Sequence, residues 1–310
     1  MNFQKNVLLK NYTTFKIGGP AEYFLIIKKI EDFFEAVKFA KKNKLIITVV
    51  GGGSNLLVSD KGLKGLVVKI ENTNIEVKKK LVLAGAGTRL ENLVNFCKSN
   101  NLKGFEWASG IPGTIGGAVY GNAQAFGTKM ADLIKNIEAI DIKTLKIINL
   151  SKERCEFRLK NSIFKKNKNL VIISASFLLK KGNKEEIRAK IKEYKDYRKK
   201  RHPTNFPSAG SVFVNPEIII KNKKLLKKFT ELKDFNKKGA IHTGYLIEKS
   251  GLKGKKIGRA QISEKHANFI INLGGAKAKD VLKLIITAKQ KVKKTFGIDL
   301  VQEVQLIGFN

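Results

Sequence analysis

Apolar residues recur along this chain at two spacings, which predict alternating helices and strands. Residues 31–44, EDFFEAVKFAKKNK, have apolar side chains at helical spacing, with acidic residues first and lysines last, an order that suits the helix dipole. Residues 45–50, LIITVV, form an apolar run that predicts a buried strand. A strand is also predicted after the turn at 18–20, and a strand pair over 56–60 and 65–70. These elements make a first small α/β unit.

A second unit begins near residue 74, where residues 74–87 alternate in the manner of a hairpin. Residues 88–101 predict an amphipathic helix, and Thr88 followed by Glu91 three residues later predicts a capping box at its start. The remaining predicted elements are strands over 136–149 and 169–179 and a charged helix over 185–203, which ends at a proline and links the domains.

A third unit begins at residues 207–216, PSAGSVFVNP. Helical spacing recurs over residues 239–251 and 278–297, and residues 266–275 contain an apolar strand. A final strand is predicted over residues 300–309. The whole pattern therefore mixes helices and strands in three successive units.

Two glycine-rich stretches interrupt this pattern, residues 51–55 (GGGSN) and residues 105–127. Glycine lets backbone approach a partner closely, and successive N–H groups form a nest for phosphate. The second stretch predicts a short helix after Pro112, whose bare N–H groups would attract an anion. Neither stretch has the Rossmann or P-loop pattern. A single glycine could simply form a turn, but two such loops in successive α/β units indicate one dinucleotide held between them.

Composition narrows the function classes. The 310 residues carry a net charge of +35, which raises the alternative of a basic RNA-binding protein. Most of this charge is lysine rather than the arginine that base readout favours, so we expect no specific nucleic-acid partner. No apolar run of about eighteen residues predicts a membrane span. Two cysteines and no signal-peptide pattern are typical of a cytoplasmic protein, and we expect a monomer.

Residues with reactive side chains give weaker signals. The three histidines are far apart in the sequence, so no metal site is predicted. Ser211 lies between a glycine and apolar residues, where a turn role is the simpler interpretation. Glu303 alternates with apolar residues in the last strand, which by itself predicts a solvated face. Arg158 and Lys160 lie in a polar connection and, taken alone, are surface charges.

Seven segments, in order, resemble the UDP-N-acetylenolpyruvoylglucosamine reductases, the MurB flavoenzymes of peptidoglycan precursor synthesis. They extend from residue 11 to residue 308, so the resemblance covers nearly the whole chain. The chain is compact after Arg201 and lacks the insertion that carries a substrate tyrosine in some members, so it resembles the shorter type. The segments are NYTTFKIGGPA, VVGGGSNLLVSD, GIPGTIGGAVYGNA, PSAGSVFVNP, GYLIEKSGLKGKKIG, SEKHANFIIN and VQEVQLIG.

The resemblance implies an α+β fold, with an FAD-binding domain of the PCMH or vanillyl-alcohol-oxidase (VAO) type and a smaller α+β substrate domain. The two α/β subdomains of the FAD domain are expected at residues 1–72 and 73–200. The substrate-binding MurB C-terminal domain is expected at 201–299, with a strand over 300–310 that returns to the FAD domain.

The resemblance also implies that FAD lies between the two subdomains. Its pyrophosphate is expected near the first glycine loop and its isoalloxazine near the second. The residues expected to bind FAD are Gly51, Gly52, Gly53, Ser54, Asn55, Gly110, Ile111, Pro112, Gly113, Gly116 and Gly117.

In the mechanism implied by the resemblance, NADPH reduces FAD, and the flavin then delivers hydride to the enolpyruvyl group of a UDP-sugar. Ser211 matches the serine that protonates the adjacent carbon, giving UDP-N-acetylmuramate. Glu303 matches a glutamate that assists at the enolate or carboxylate. Arg201 and Asn215 match residues that contact the substrate.

This sequence departs from the family at the segment Cys-x-Phe-x-Tyr-Arg-x-Ser, where residues 155–162 read CEFRLKNS. Lys160 stands where the family has the arginine that stabilises the enolate. We favour Lys160 in that role; alternatively Arg158 reaches in, since the two would share a face of a strand, or the enzyme is weakened. Gln124 replaces a family glycine beside the second glycine loop.

The nearest rival activity is another VAO-type FAD oxidoreductase, such as a sugar or lactone oxidase. The segments SAGSVF and EKHANF count against it because they resemble the reductases' substrate domain. The expected small-molecule partners are therefore the UDP-sugar and NADPH, without membrane insertion.

Overall fold

The computed structural model describes residues 1–78 and 81–309. The chain divides into two compact units. Unit 1 contains residues 1–7, 20–53 and 63–200; unit 2 contains residues 8–19, 54–62 and those from 201 onward.

Helices in the described residues correspond to most of the predicted helical segments. The helix predicted over 31–44 is present, and the charged helix ends at Arg201, just before Pro203, since a proline disfavours helix in the residue before it. The helices are α1 (Ile30–Lys42), α2 (Leu90–Ser99), α3 (Ile115–Tyr120), α4 (Met130–Leu133), α5 (Ile163–Lys166), α6 (Lys184–Arg201), α7 (Lys223–Lys228), α8 (Leu232–Lys238), α9 (Thr243–Lys249) and α10 (Ala278–Phe296).

Strands follow the predicted apolar runs, most of them shorter than the pattern indicates. The strands are β1 (Gln4–Leu8), β2 (Pro20–Ile27), β3 (Ile47–Val50), β4 (Leu56–Val58), β5 (Leu63–Ile70), β6 (Ile75–Lys78), β7 (Leu81–Gly85), β8 (Leu102–Lys103), β9 (Gln124–Ala125), β10 (Thr128–Lys129), β11 (Ile134–Asp141), β12 (Ile147–Ser151), β13 (Leu170–Leu178), β14 (Lys180–Lys181), β15 (Ser208–Ser211), β16 (Lys256–Ile257), β17 (Ala260–Ile262), β18 (Phe269–Asn272) and β19 (Gln305–Ile307).

Unit 1 contains two main sheets. The first has the order β1-β2-β5-β3, and β5 is parallel to both β2 and β3. The second has the order β12-β11-β13-β7-β6, with antiparallel pairing throughout. Helices α1 and α2 bury their apolar faces in one core, in which Phe33, Leu93 and Trp107 are almost fully buried. The hairpin predicted over 74–87 is confirmed for the described parts of β6 and β7.

The capping box predicted at α2 is wrong. Arg89 occupies the N-cap without a side-chain bond to the helix. The Thr88 hydroxyl instead donates to the Asn74 carbonyl at 3.4 Å. The Glu91 carboxylate accepts from the Gly110 N–H at 3.2 Å and from Lys195 Nζ at 2.6 Å. Both side chains therefore bond to residues distant in the sequence and do not cap the helix.

Unit 2 contains a sheet of order β15-β18-β17-β16 that packs with α9 and α10 around a separate apolar core. Asp60 fixes the start of α10, because its two carboxylate oxygens accept from the Ala278 N–H at 2.9 Å and the Lys279 N–H at 3.2 Å. A carboxylate at this position satisfies N–H groups that have no partner within the helix.

The last strand is shorter than predicted, since residues 300–304 are not part of it. Only β19 is regular, and it pairs in parallel with β4. The chain bends at Val304, where the Glu303 and Val304 N–H groups both donate to the Val212 carbonyl, at 2.8 and 3.3 Å. The pairing predicted between 56–60 and 65–70 is also wrong: β4 joins β19, whereas β5 lies between β2 and β3.

None of the helices in the described residues combines the length and apolar character needed to cross a membrane.

Candidate active site

Residues 51–53 of the first glycine loop and the second glycine stretch, all in unit 1, contact each other closely. A Cβ built on Gly52 would lie 2.7 Å from the Gly113 Cα, and one on Gly51 would lie 2.5 Å from Thr114 Oγ1. Real Cβ atoms do not approach this closely, so glycine is required at both positions. Gly53 and Gly113 have φ values of 62° and 127°, which other residues rarely adopt. The loops therefore present mainly backbone groups to anything that binds there.

Helix α3 begins one residue after this contact, with Thr114 as its N-cap. The expectation of bare N–H groups here is wrong for two residues. The Ile115 N–H donates to the Thr88 carbonyl and the Gly116 N–H to the Ala86 carbonyl, each at 2.8 Å. These bonds fix the second glycine loop to the end of β7.

The buried hydroxyl of Thr114 is a feature that sequence reasoning missed. In the part of the chain that the structure describes, Thr114 Oγ1 has no hydrogen-bond partner, and Trp107 Nε1 is also buried without one. An unpaired buried hydroxyl is costly unless a ligand satisfies it. Its position beside Gly51, within a cradle that a side chain would fill, fits the phosphate or ribityl part of a dinucleotide such as FAD. The only sequence signal was a threonine directly after Pro-Gly.

Lys160 and Arg158 lie in a tight turn, and not on a strand. The backbones of Arg158 and Asn161 exchange hydrogen bonds at 3.0 and 3.1 Å, and Lys160 has a left-handed φ of 52°. The suggestion that the two cations share a strand face is therefore wrong. Lys165 Nζ donates to the Lys160 carbonyl at 2.6 Å.

This turn is attached to the end of α3 by two neighbouring side chains. Ser162, which is fully buried, donates from Oγ to the Tyr120 carbonyl at 2.7 Å. Asn122 donates from Nδ2 to the Arg158 carbonyl at 2.9 Å. The segment that carries Lys160 is thus attached to residues at and just after the end of α3, within the second glycine stretch. Gln124 lies just beyond, paired with Lys129 in the β9–β10 hairpin.

In unit 2, Ser211 and Glu303 belong to adjoining segments. Ser211 ends β15, and the carbonyl of the next residue, Val212, accepts from the Glu303 N–H at 2.8 Å. Asn268 fixes the segment after Ser211, because its Oδ1 accepts from the Phe213 N–H at 3.0 Å and its Nδ2 donates to the Phe213 carbonyl at 2.8 Å. A hydroxyl and a carboxylate are thereby brought to one short stretch of backbone.

Asn55, the last residue of the first glycine loop, also belongs to this cluster. Its Nδ2 donates to the Glu303 carbonyl at 3.1 Å, and its own carbonyl accepts from the Gln305 N–H at 3.0 Å. Asn55 therefore has a structural role around Glu303, whatever it contributes to a ligand.

The two residues expected to contact substrate differ in surroundings. Arg201 is exposed at the end of α6. Asn215 Oδ1 accepts from the Thr243 N–H at 3.0 Å, which supports the start of α9.

A histidine pair beside Ser211 was not predicted, because its members are distant in the sequence. The rings of His202 and His266 lie 5.5 Å apart, and both contact Phe269, which pairs with Ser211 across the sheet. Burial lowers the pKa of His266, and nearby positive groups, Arg201 among them, act in the same direction. Its Nδ1 accepts from the Asn268 N–H at 3.2 Å, so the neutral ring carries its proton on Nε2.

Two family models match separate parts of this chain. Residues 21–151 match the model of an FAD binding domain, and residues 202–307 match that of the UDP-N-acetylenolpyruvoylglucosamine reductase C-terminal domain. The first match contains all of the second glycine loop and residues 51–55. The second contains Ser211 and Glu303.

Full-length relatives carry the same name. The UDP-N-acetylenolpyruvoylglucosamine reductase of Lachnoclostridium phytofermentans is 41% identical over 310 residues, covering 98% of this chain and 92% of that protein. The one from Caldanaerobacter subterraneus subsp. tengcongensis is 37% identical over 304 residues, covering 98% and 93%.

A solved structure extends the likeness to the fold. The crystal structure of UDP-N-acetylenolpyruvylglucosamine reductase (MurB) from Thermus caldophilus matches with a TM-score of 0.79 and 31% identity, over 99% of both chains. Together with the FAD binding domain match, it confirms the expected fold class and the expected FAD cofactor. This chain belongs to the UDP-N-acetylenolpyruvoylglucosamine reductase family.

Proposed function

We propose that this chain reduces the enolpyruvyl group of UDP-N-acetylenolpyruvoylglucosamine to give UDP-N-acetylmuramate in the cytoplasm, for peptidoglycan precursor synthesis. NADPH is the proposed electron donor. The observation that supports the proposal is the hydrogen bond between the Glu303 N–H and the Val212 carbonyl, which places the backbones of Glu303 and of the segment after Ser211 side by side within the stretch that matches the reductase C-terminal domain.

The residues that would hold FAD are those of the two glycine loops and Thr114. The N–H groups of Gly51, Gly52 and Gly53 suit the pyrophosphate, and the Thr114 hydroxyl supplies a further polar contact. FAD held by these residues would supply two-electron chemistry between NADPH and the substrate double bond. The close contact between the loops supports this assignment, because it holds the backbone groups of both loops next to each other.

Ser211 is the proposed proton donor to the carbon beside the reduced methylene. A serine hydroxyl is a weak acid, so it must be held in place against a basic carbanion. The bonds from Asn268 to Phe213 supply that rigidity two residues away. Glu303 is proposed to assist at the developing enolate, and Arg201 and the Asn215 amide to contact the anionic substrate.

Lys160 is the proposed cation for the enolate charge. It lies in the turn that Ser162 and Asn122 fix to α3, which supports a defined position for its backbone. Lysine supplies the charge without the two-pronged donor geometry of arginine.

The two half-reactions can be tested separately in a stopped-flow spectrometer under nitrogen. NADPH should bleach the flavin absorbance of the purified protein, and the enolpyruvyl substrate should restore it. Restoration by oxygen alone would refute the reductase assignment and favour an oxidase.

Replacement of Gly52 by alanine should weaken FAD binding. The added Cβ would lie 2.7 Å from the Gly113 Cα, so the two loops must separate. We expect an increase in the dissociation constant for FAD of at least about tenfold, measured by titration of the apoprotein. Gly121→Ala is the matched control, because its Cβ would meet the Gly117 carbonyl oxygen at an ordinary 3.5 Å. Equal affinities of the two variants would contradict the assignment.

Ser211→Ala should leave the reduction of FAD by NADPH nearly intact and slow reoxidation by the substrate. The loss should be on the order of 10²–10⁴-fold, the usual contribution of a positioned general acid. Ser208→Ala, on the same strand, serves as the control. If both half-reactions slow equally in Ser211→Ala, the serine is not the acid.

Lys160→Ala should slow reoxidation by about tenfold or more, because a charge-assisted interaction with the enolate is lost. Lys160→Arg should retain the rate. Arg158→Ala, in the same turn, should change it less than about twofold if Lys160 acts alone. A larger effect of Arg158→Ala would assign the role to Arg158. If neither change slows reoxidation, neither cation of this turn has the role.

A further inference from the structure

Helix α6 contacts the second glycine stretch, residues 105–127, at two separate places. Arg198 makes the first contact. Its Nε donates to the Ser109 carbonyl at 2.8 Å, and a terminal nitrogen donates to the Trp107 carbonyl at 3.0 Å. A Cβ on Gly110 would lie 3.3 Å from the Arg198 Cδ, so the side chain packs closely on the loop as well as bonding to it.

The second contact is at the tip of the β9–β10 hairpin. Phe126 and Gly127 both have left-handed φ values, 52° and 80°, as in the tight turns that close hairpins. The Phe126 ring stacks on Tyr194 of α6 at 4.0 Å between centroids, and the Arg198 guanidinium lies 5.2 Å from the Phe126 ring centroid. Arg198 thus contacts both ends of the glycine stretch.

A third connection joins α6 to the same loop through α2. Lys195 Nζ lies 2.6 Å from a Glu91 oxygen, and the other Glu91 oxygen accepts from the Gly110 N–H at 3.2 Å. Burial opposes the Glu91 charge, but the bonds from Lys195 and Gly110 outweigh it and lower the pKa of Glu91. The carboxylate is therefore ionised and holds the loop from a second direction.

No carboxylate among residues 1–78 and 81–309 forms an ion pair with Arg198. Among the described residues its recorded partners are carbonyl oxygens and the Phe126 ring, with no ion pair. Burial lowers the pKa of Arg198 to about 10, so it remains charged at neutral pH. Burying part of a cation that forms no ion pair does not favour stability. Stability alone therefore does not account for Arg198, and its role lies in the loop to which it is bonded.

We propose that Arg198 is a positioning residue that orders the 107–110 segment and the Phe126 tip for FAD. The inference rests on the proposed function, in which this stretch contributes to the flavin site. Arginine suits the role because its planar fork reaches two carbonyls at once and its face covers an aromatic ring; lysine cannot do all three.

The test compares holoenzyme and apoprotein of the wild type, Arg198→Lys and Arg198→Ala. The dissociation constant for FAD is measured by flavin fluorescence, and the visible absorbance bands are recorded at saturating FAD. We expect Arg198→Lys to weaken FAD binding about tenfold and to alter the shape of the flavin bands. Arg188→Ala, an exposed arginine on the same helix, is the control and should bind FAD within about twofold of wild type.

The outcomes separate the possible roles. If Arg198→Lys has the affinity and spectrum of the control, the proposal is overturned, even where the apoprotein melts earlier, because that result describes a structural residue only. If Arg198→Ala does not fold, Arg198→Lys decides the question. A wild-type protein that binds no FAD would refute the proposed function itself, whereas a wild type that binds FAD beside an unaffected Arg198→Lys would refute only this inference.

Discussion

The backbone contact between Gly52 and Gly113 is the constraint on which the cofactor region of unit 1 depends. Because no Cβ fits between Gly52 and Gly113, the groups at this contact are mainly backbone groups, with the Thr114 hydroxyl beside them. The second loop lies where it does because the first N–H groups of α3 bind carbonyls of Ala86 and Thr88, just beyond β7. Strand β7 is in turn paired with β13 in the centre of its sheet. The loop geometry thus follows from sheet order rather than from loop sequence alone.

Much of the fold could be predicted because its signals are local. Helices α1, α2 and α10 have apolar residues at helical spacing, so their existence and type follow from the sequence. Strand partners could not be predicted in this way. Strands β4 and β5 follow each other in the chain, yet they join different sheets. The bend at Val304 depends on a carbonyl about 90 residues away in the sequence, and no pattern in the last ten residues reports it.

The same contrast between local signals and distant partners applies to the residues of the candidate site. Clustered glycines are visible in a sequence because the absence of side chains is itself the signal, and both loops were found. Thr114, Arg198 and the His202–His266 pair were missed because each gains its meaning from a partner far away in the chain. Glu91 shows the same effect in reverse: its spacing from Thr88 fits a capping box, but Lys195 and Gly110 bind its carboxylate instead.

At Lys160, the backbone conformation of the turn and the proposed chemical role of the side chain can be considered separately. A left-handed φ of 52° strains any residue with a β-carbon, so the backbone gives no reason to prefer lysine to arginine here. Bonds from Ser162 to the Tyr120 carbonyl, from Asn122 to the Arg158 carbonyl and from Lys165 to the Lys160 carbonyl all hold this turn. Lysine and arginine differ instead in the shape of the charged donor, which is a compact ammonium in lysine and a planar guanidinium in arginine. In the proposed mechanism, lysine at this position offers the substrate a single ammonium group in place of the guanidinium of arginine.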